Sequence, residues 1–68
     1  MRDVEVRGGA IRLGQLLKLA GLAGTGGEAR AMLEAGEVTV NGEPEARRGR
    51  QLAAGDLVAA AGEVVRVA

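Results

Sequence analysis

The stretch from Thr25 to Gly42, TGGEARAMLEAGEVTVNG, constrains the fold more than any other part of the chain, because it encodes a helix, its stop, a strand and a tight turn in succession. The Thr25 hydroxyl is suited to cap a helix, and Glu28, three residues on, is placed to reach back to the cap's own amide, which would satisfy two orphan donors. Ala29, Met32, Leu33 and Gly36 recur at i, i+3, i+4 and i+7 as an apolar stripe, leaving Glu28, Arg30, Ala31 and Glu34 off it and Arg30 facing outward. Gly36 suits the left-handed conformation that ends a helix. Glu37-Val38-Thr39-Val40 then alternates with the period of a half-buried strand, and Asn41-Gly42 closes it as a hairpin-type turn.

A chain of 68 residues sets the energetic limits. A core of this size stabilises a fold by only about 3–5 kcal/mol, and the sequence implies one domain over residues 1–68. There is no Phe, Tyr or Trp to bury large area and no Cys for a disulfide or a thiolate metal site, so the core must come from Leu, Val, Ala, Met and Ile. His is absent too, which removes the usual general base and the commonest metal ligand. The expectation is therefore a protein that is not an enzyme and carries no cofactor or metal. The charged N-terminus has no signal-peptide run and no stretch is apolar enough to span a membrane, so the reading is cytoplasmic. Nine basic and nine acidic residues cancel, so any attraction to a polyanion must come from how charge is distributed.

The flanking segments read as buttresses. Val4 and Val6 alternate with Asp3, Glu5 and Arg7 as a short strand ended by Gly8-Gly9. Leu13, Leu16, Leu17 and Ala20 form a second apolar stripe, predicting a helix over Ile11 to Ala20 with Arg12, Gln15 and Lys18 opposite; Gly21 stops it, and Leu22-Ala23-Gly24 joins it tightly to the next helix. Pro44 disfavours a central strand. Ala53 to Asp56 reads as a turn, Leu57 to Ala60 as a strand, Ala61-Gly62-Glu63 as a turn and Val64 to Val67 as a last strand. Either terminal strand alone would fray, so the two are predicted to pair. The fold class is α+β, with two short N-terminal helices packed on a small, mainly antiparallel β-sheet.

Arg47-Arg48-Gly49-Arg50 is the densest basic run, with no acid from Ala46 to Gly55. Three guanidiniums so close are suited to fork onto phosphate oxygens, with Gly49 letting backbone approach a partner; the competing reading is a solvated loop paired with Glu43 and Glu45. Arg30 lies near a helix N-terminus, where free amides favour phosphate, and its alternative use is an i,i+4 pair with Glu34. Arg12 and Lys18 are further exposed cations on the first helix.

EARAMLEAGEVTVNG resembles the core of the RNA-binding domain named after ribosomal small-subunit protein S-four, the alpha-L motif. That domain recurs in pseudouridine synthases, tyrosyl-tRNA synthetases and a heat-shock ribosome-binding protein. The likeness runs from Arg12-Leu13 to Gly55-Asp56-Leu57-Val58, about residues 12–58, and is greatest to small stand-alone bacterial members. It implies that the outer face of the second helix, with Arg30, contacts RNA. Thr25 matches the Ser that opens that helix in the family, implying chiefly a structural cap. Many members have Arg next, where this chain has Gly26; Gly26 and Gly27 would instead let RNA approach the helix start. The family's Arg-Leu-Asp at the first helix is here Arg12-Leu13-Gly14, without the acid.

Without aromatic side chains there is no platform for stacking splayed bases, which favours folded RNA read through shape and phosphates. The expected RNA-binding residues are Arg12, Lys18, Thr25, Gly26, Gly27, Arg30, Arg47, Arg48 and Arg50. The expected partners are structured ribosomal or transfer RNA, with the ribosome or a separate enzyme as further candidates, and a monomeric state. Two other readings stay open: a protein-interaction module with no RNA role, and a helix-turn-helix DNA binder whose recognition helix would present Glu28 and Glu34 to phosphate.

Overall fold

A computed structural model describes residues 1–68. The chain runs β1 (Arg2–Val4), a short turn (Arg7–Gly9), β2 (Ala10–Arg12), α1 (Leu13–Leu19), α2 (Gly26–Glu34), β3 (Thr39–Val40), β4 (Glu43–Pro44), β5 (Gln51–Ala53), β6 (Leu57–Ala60) and β7 (Glu63–Val67). Five strands form one sheet in the order β1-β7-β6-β3-β4, and β2 with β5 forms a separate two-stranded ribbon.

The capped helix begins as its sequence dictates. Thr25 is extended, its hydroxyl oxygen accepts the Glu28 amide at 3.0 Å, and Gly36 takes φ +74 beyond the end of α2. Glu28 departs from the expected reciprocal cap: its carboxylate accepts the Gly24 amide at 2.7 Å rather than that of Thr25. The carboxylate thus ties the inter-helix connection to α2 instead of closing the box on the cap residue. Asn41 and Gly42 have φ of +52 and +84, the left-handed pair required by a two-residue hairpin whose twist matches its strands, and Val40 pairs with Glu43 across it. The Asn41 side chain also accepts the Leu57 amide at 2.9 Å, stitching this hairpin to the start of β6. Pro44 sits in the outermost strand, where its missing N–H breaks no ladder.

The chain termini do pair. β1 lies parallel to β7 with Asp3 opposite Arg66, and those two side chains form an ion pair at 3.0 Å. The remaining pairings are antiparallel.

The core contains 16 buried residues, all apolar, reaching from Val4 to Val67. Leu13, Leu16 and Leu17 of α1 have no exposed surface and pack with Ala29 and Leu33 of α2 over the inward Val38, Val40, Val58 and Val65. Other expectations shift as well: β3 begins at Thr39 rather than Glu37, and β1 covers Arg2–Val4, so Val6 lies outside the strand and Gly8-Gly9 does not end it. The first helix starts at Leu13 rather than Ile11, because Ile11 is extended and pairs with Leu52. β2 and β5 carry no strand signal of their own, since each has only three residues and draws its partner from about forty positions away.

Candidate nucleic-acid interface

Five of the nine basic residues are held by carboxylates: Arg2 by Glu63, Arg30 by Glu34, Arg47 and Arg50 by Glu45, and Arg66 by Asp3. The side chains of Arg7, Arg12, Lys18 and Arg48 make no hydrogen bond or ion pair within the chain. Arg12, Lys18 and Arg48 converge on one open groove of about 280 Å³, which also takes in Gly14, Gly26 and Gly49. No carboxylate lines it. A neutral molecule thus carries a local basic concavity, since its acids lie on other faces.

Three elements build the groove. Arg12 is the last residue of β2 and leads into α1; its amide donates to the Gln15 side chain at 3.1 Å, fixing where the helix starts. Lys18 lies on the exposed side of α1, opposite the buried leucines. The Arg47–Arg50 loop is docked against the start of α1, where the Leu13 amide donates to the Arg50 carbonyl at 2.8 Å and the Gly14 amide to the Arg48 carbonyl at 2.9 Å. These bonds fill two of the donors that a helix start leaves open. Gly14 makes the approach possible, because a Cβ there would lie 3.3 Å from the Arg48 Cβ.

The three arginines of the loop are not equivalent. Glu45 accepts the Arg47 amide and Nε, both at 3.2 Å, and its other oxygen accepts Arg50 Nη1 at 3.4 Å. The Arg47 side chain, its hydrogen bond first and its backbone N–H next, holds the Glu45 carboxyl below the usual range, and Glu45 in turn raises Arg47. Glu45 stabilises the cations of its own loop and leaves Arg48 alone unpaired. The internally paired loop weighed in the sequence therefore describes Arg47 and Arg50, with Glu45 rather than Glu43 as the acid, and it does not describe Arg48.

The other candidate residues fall nearby with different roles. Gly26 lines the groove, and the amides of Gly26 and Gly27 open α2 without an acceptor in the chain. The Thr25 hydroxyl oxygen accepts the capping amide, and Thr25 does not line the groove. Arg30 is exposed on α2 and bonded to Glu34 at 2.8 Å, so its charge is locally cancelled; the two border a second hollow that shares Arg48 with the groove. The exposed face of α2 sets Glu28 and Glu34 against the single cation Arg30, a net negative charge toward a DNA groove. Gly14 and Gln15 also line the groove, beyond the residues expected from the sequence. The cue was an Arg-Leu-Gly step without an acid, whose use depends on a loop about thirty residues on.

The S4 domain family model matches residues 4–68. Over 48 residues, 71% of this chain and 68% of the relative, the sequence is 54% identical to the probable ribosome maturation protein RlbA of Bacillus subtilis (strain 168).

Proposed function

The chain belongs to the S4 domain family, and from that premise we propose that it is a non-catalytic module that binds structured RNA, ribosomal or transfer, in the groove between α1, the start of α2 and the Arg47–Arg50 loop. An RNA-associated role is supported by family membership together with the likeness to a probable ribosome maturation protein. The observation that carries the site is the convergence of Arg12, Lys18 and Arg48, all unpaired, on an acid-free hollow beside the opening amides of α2. Guanidinium, ammonium and backbone N–H donors of this kind grip phosphate oxygens, and no aromatic side chain is present to read unstacked bases. The ligand best suited is the phosphate ridge of a folded RNA, with shape supplying the selectivity. In this reading the domain spans residues 1–68, works in the cytoplasm as a monomer, and acts on the ribosome or with a partner enzyme.

The test is fluorescence anisotropy with a labelled structured RNA at several salt concentrations. Wild type should bind with a log–log salt slope of roughly −2 to −3, as expected for about three phosphates at 0.7–0.9 each. Arg12→Ala/Lys18→Ala/Arg48→Ala should stay folded, since none of the three side chains has an internal partner, and should lose most of that binding. Arg47→Ala/Arg50→Ala should lose less. Wild-type binding that ignores salt, or a triple variant that binds as well as wild type, would sink the proposal and favour a protein partner.

A further inference from the structure

We infer that Glu45 is a positioning residue for the RNA groove, an acid whose carboxylate presents Arg48 to phosphate by closing the loop around the other two arginines. The inference rests on the groove being the RNA site.

Three guanidiniums within four residues repel one another, and a loop carrying them unscreened would open toward solvent. Glu45 opposes this from inside the loop. Its side chain is only 13% exposed, its amide is anchored on the Val38 carbonyl at 3.1 Å, and its two oxygens reach the Arg47 amide and the Arg47 and Arg50 guanidiniums. The ring so formed is closed again by the Arg50 amide donating to the Arg47 carbonyl at 3.2 Å. Within that ring the carbonyls of Arg48 and Arg50 face α1 and take the amides of Gly14 and Leu13. Arg48, whose side chain no acid holds, borders both the groove and the adjoining hollow beside Arg30. The carboxylate therefore leaves Arg48 as the one arginine of the loop without an internal partner, and it orders the loop that carries it before RNA arrives.

This runs against simple charge arithmetic. Removing an acid next to a polyanion site raises the net charge by one and should tighten RNA binding if Glu45 merely competes with phosphate for Arg47 and Arg50. If Glu45 orders the loop, its loss weakens binding, because the loop must then be ordered at the moment of association.

The experiment compares wild type, Arg48→Ala, Glu45→Gln and Glu45→Ala by RNA anisotropy across salt, with amide hydrogen exchange at Leu13 and Gly14 followed by NMR. The positioning role predicts that Glu45→Gln weakens binding about threefold to tenfold through lost preorganisation, with the salt slope kept at the wild-type value. Glu45→Ala should weaken it further, and exchange at Leu13 and Gly14 should accelerate in both. Tighter binding with a steeper slope would overturn the inference and make Glu45 a competitor of phosphate. Unchanged exchange at both amides would overturn it as well, whatever the affinities. The arms separate the two claims: wild type failing to bind any RNA refutes the RNA site, whereas wild type binding, Arg48→Ala losing affinity and Glu45→Gln gaining it refutes only the role of Glu45.

Discussion

The Gly14 amide donates to the Arg48 carbonyl over 2.9 Å, and a Cβ added at Gly14 would stand 3.3 Å from the Cβ of Arg48. The helix that carries Lys18 and the loop that carries Arg48 are thus joined backbone to backbone, in a contact tighter than a side-chain carbon ordinarily makes. Gly14 serves here through absence of bulk.

A branched side chain at this point should therefore push the loop off the helix. Gly14→Val is expected to lower stability by about 1–3 kcal/mol, as overpacking of a close contact does, and to shift the NMR resonances of Arg48 and Gly49. Urea denaturation and amide spectra check this; a variant as stable as wild type with an unmoved loop would show that the contact is slack.

Thr25 makes a separate contribution at the other helix start. Its hydroxyl is the acceptor for the Glu28 amide, so Thr25→Ala should cost about 1 kcal/mol and Thr25→Ser much less. In a domain this small 1 kcal/mol corresponds to roughly 4–8 °C in melting temperature, readable by circular dichroism. RNA affinity measured well below the melting point should change little, because the hydroxyl oxygen serves the cap and Thr25 does not line the groove.

Acid should unfold the protein through three carboxylates. Asp3 is lowered chiefly by its hydrogen bond from Arg66, Glu45 by that from Arg47, and Asp56 by the Ala53 amide followed by the Asn41 side chain. Each binds its proton less readily in the folded state than in the unfolded chain. Their stabilisation is then fully present above the unfolded values near 4 and is lost as pH falls through the lower folded values. Denaturant midpoints should hold steady down to about pH 5 and drop below about pH 4. Asp56→Asn should flatten that drop; a profile that rises on acidification would contradict the assignment.

The core leaves almost no reserve. Leu16 is fully buried in α1, and truncation of such a leucine costs about 2–5 kcal/mol, comparable with the whole stability expected at this size. Leu16→Ala should be largely unfolded at 37 °C by circular dichroism, whereas Leu19→Ala, on a side chain 57% exposed, should melt close to wild type.

What the sequence by itself determined was the unit from Thr25 to Gly42, because its determinants are local. A hydroxyl three residues before the amide it caps, an apolar stripe at helical spacing, and residues that tolerate positive φ act within a turn or two of the chain. The meeting of the termini was legible for a related reason, since short valine strands at either end had few partners to bury them. The pairing of Ile11 with Leu52 was not legible, because three-residue strands carry too little pattern to outweigh an adjoining helical stripe. Nor could the run Arg47-Arg48-Gly49-Arg50 disclose which arginine is left unpaired. That depends on Glu45 folding back into its own loop and on amides of Leu13 and Gly14 brought from more than thirty residues away, a choice made by three-dimensional hydrogen-bond accounting that no local spacing encodes.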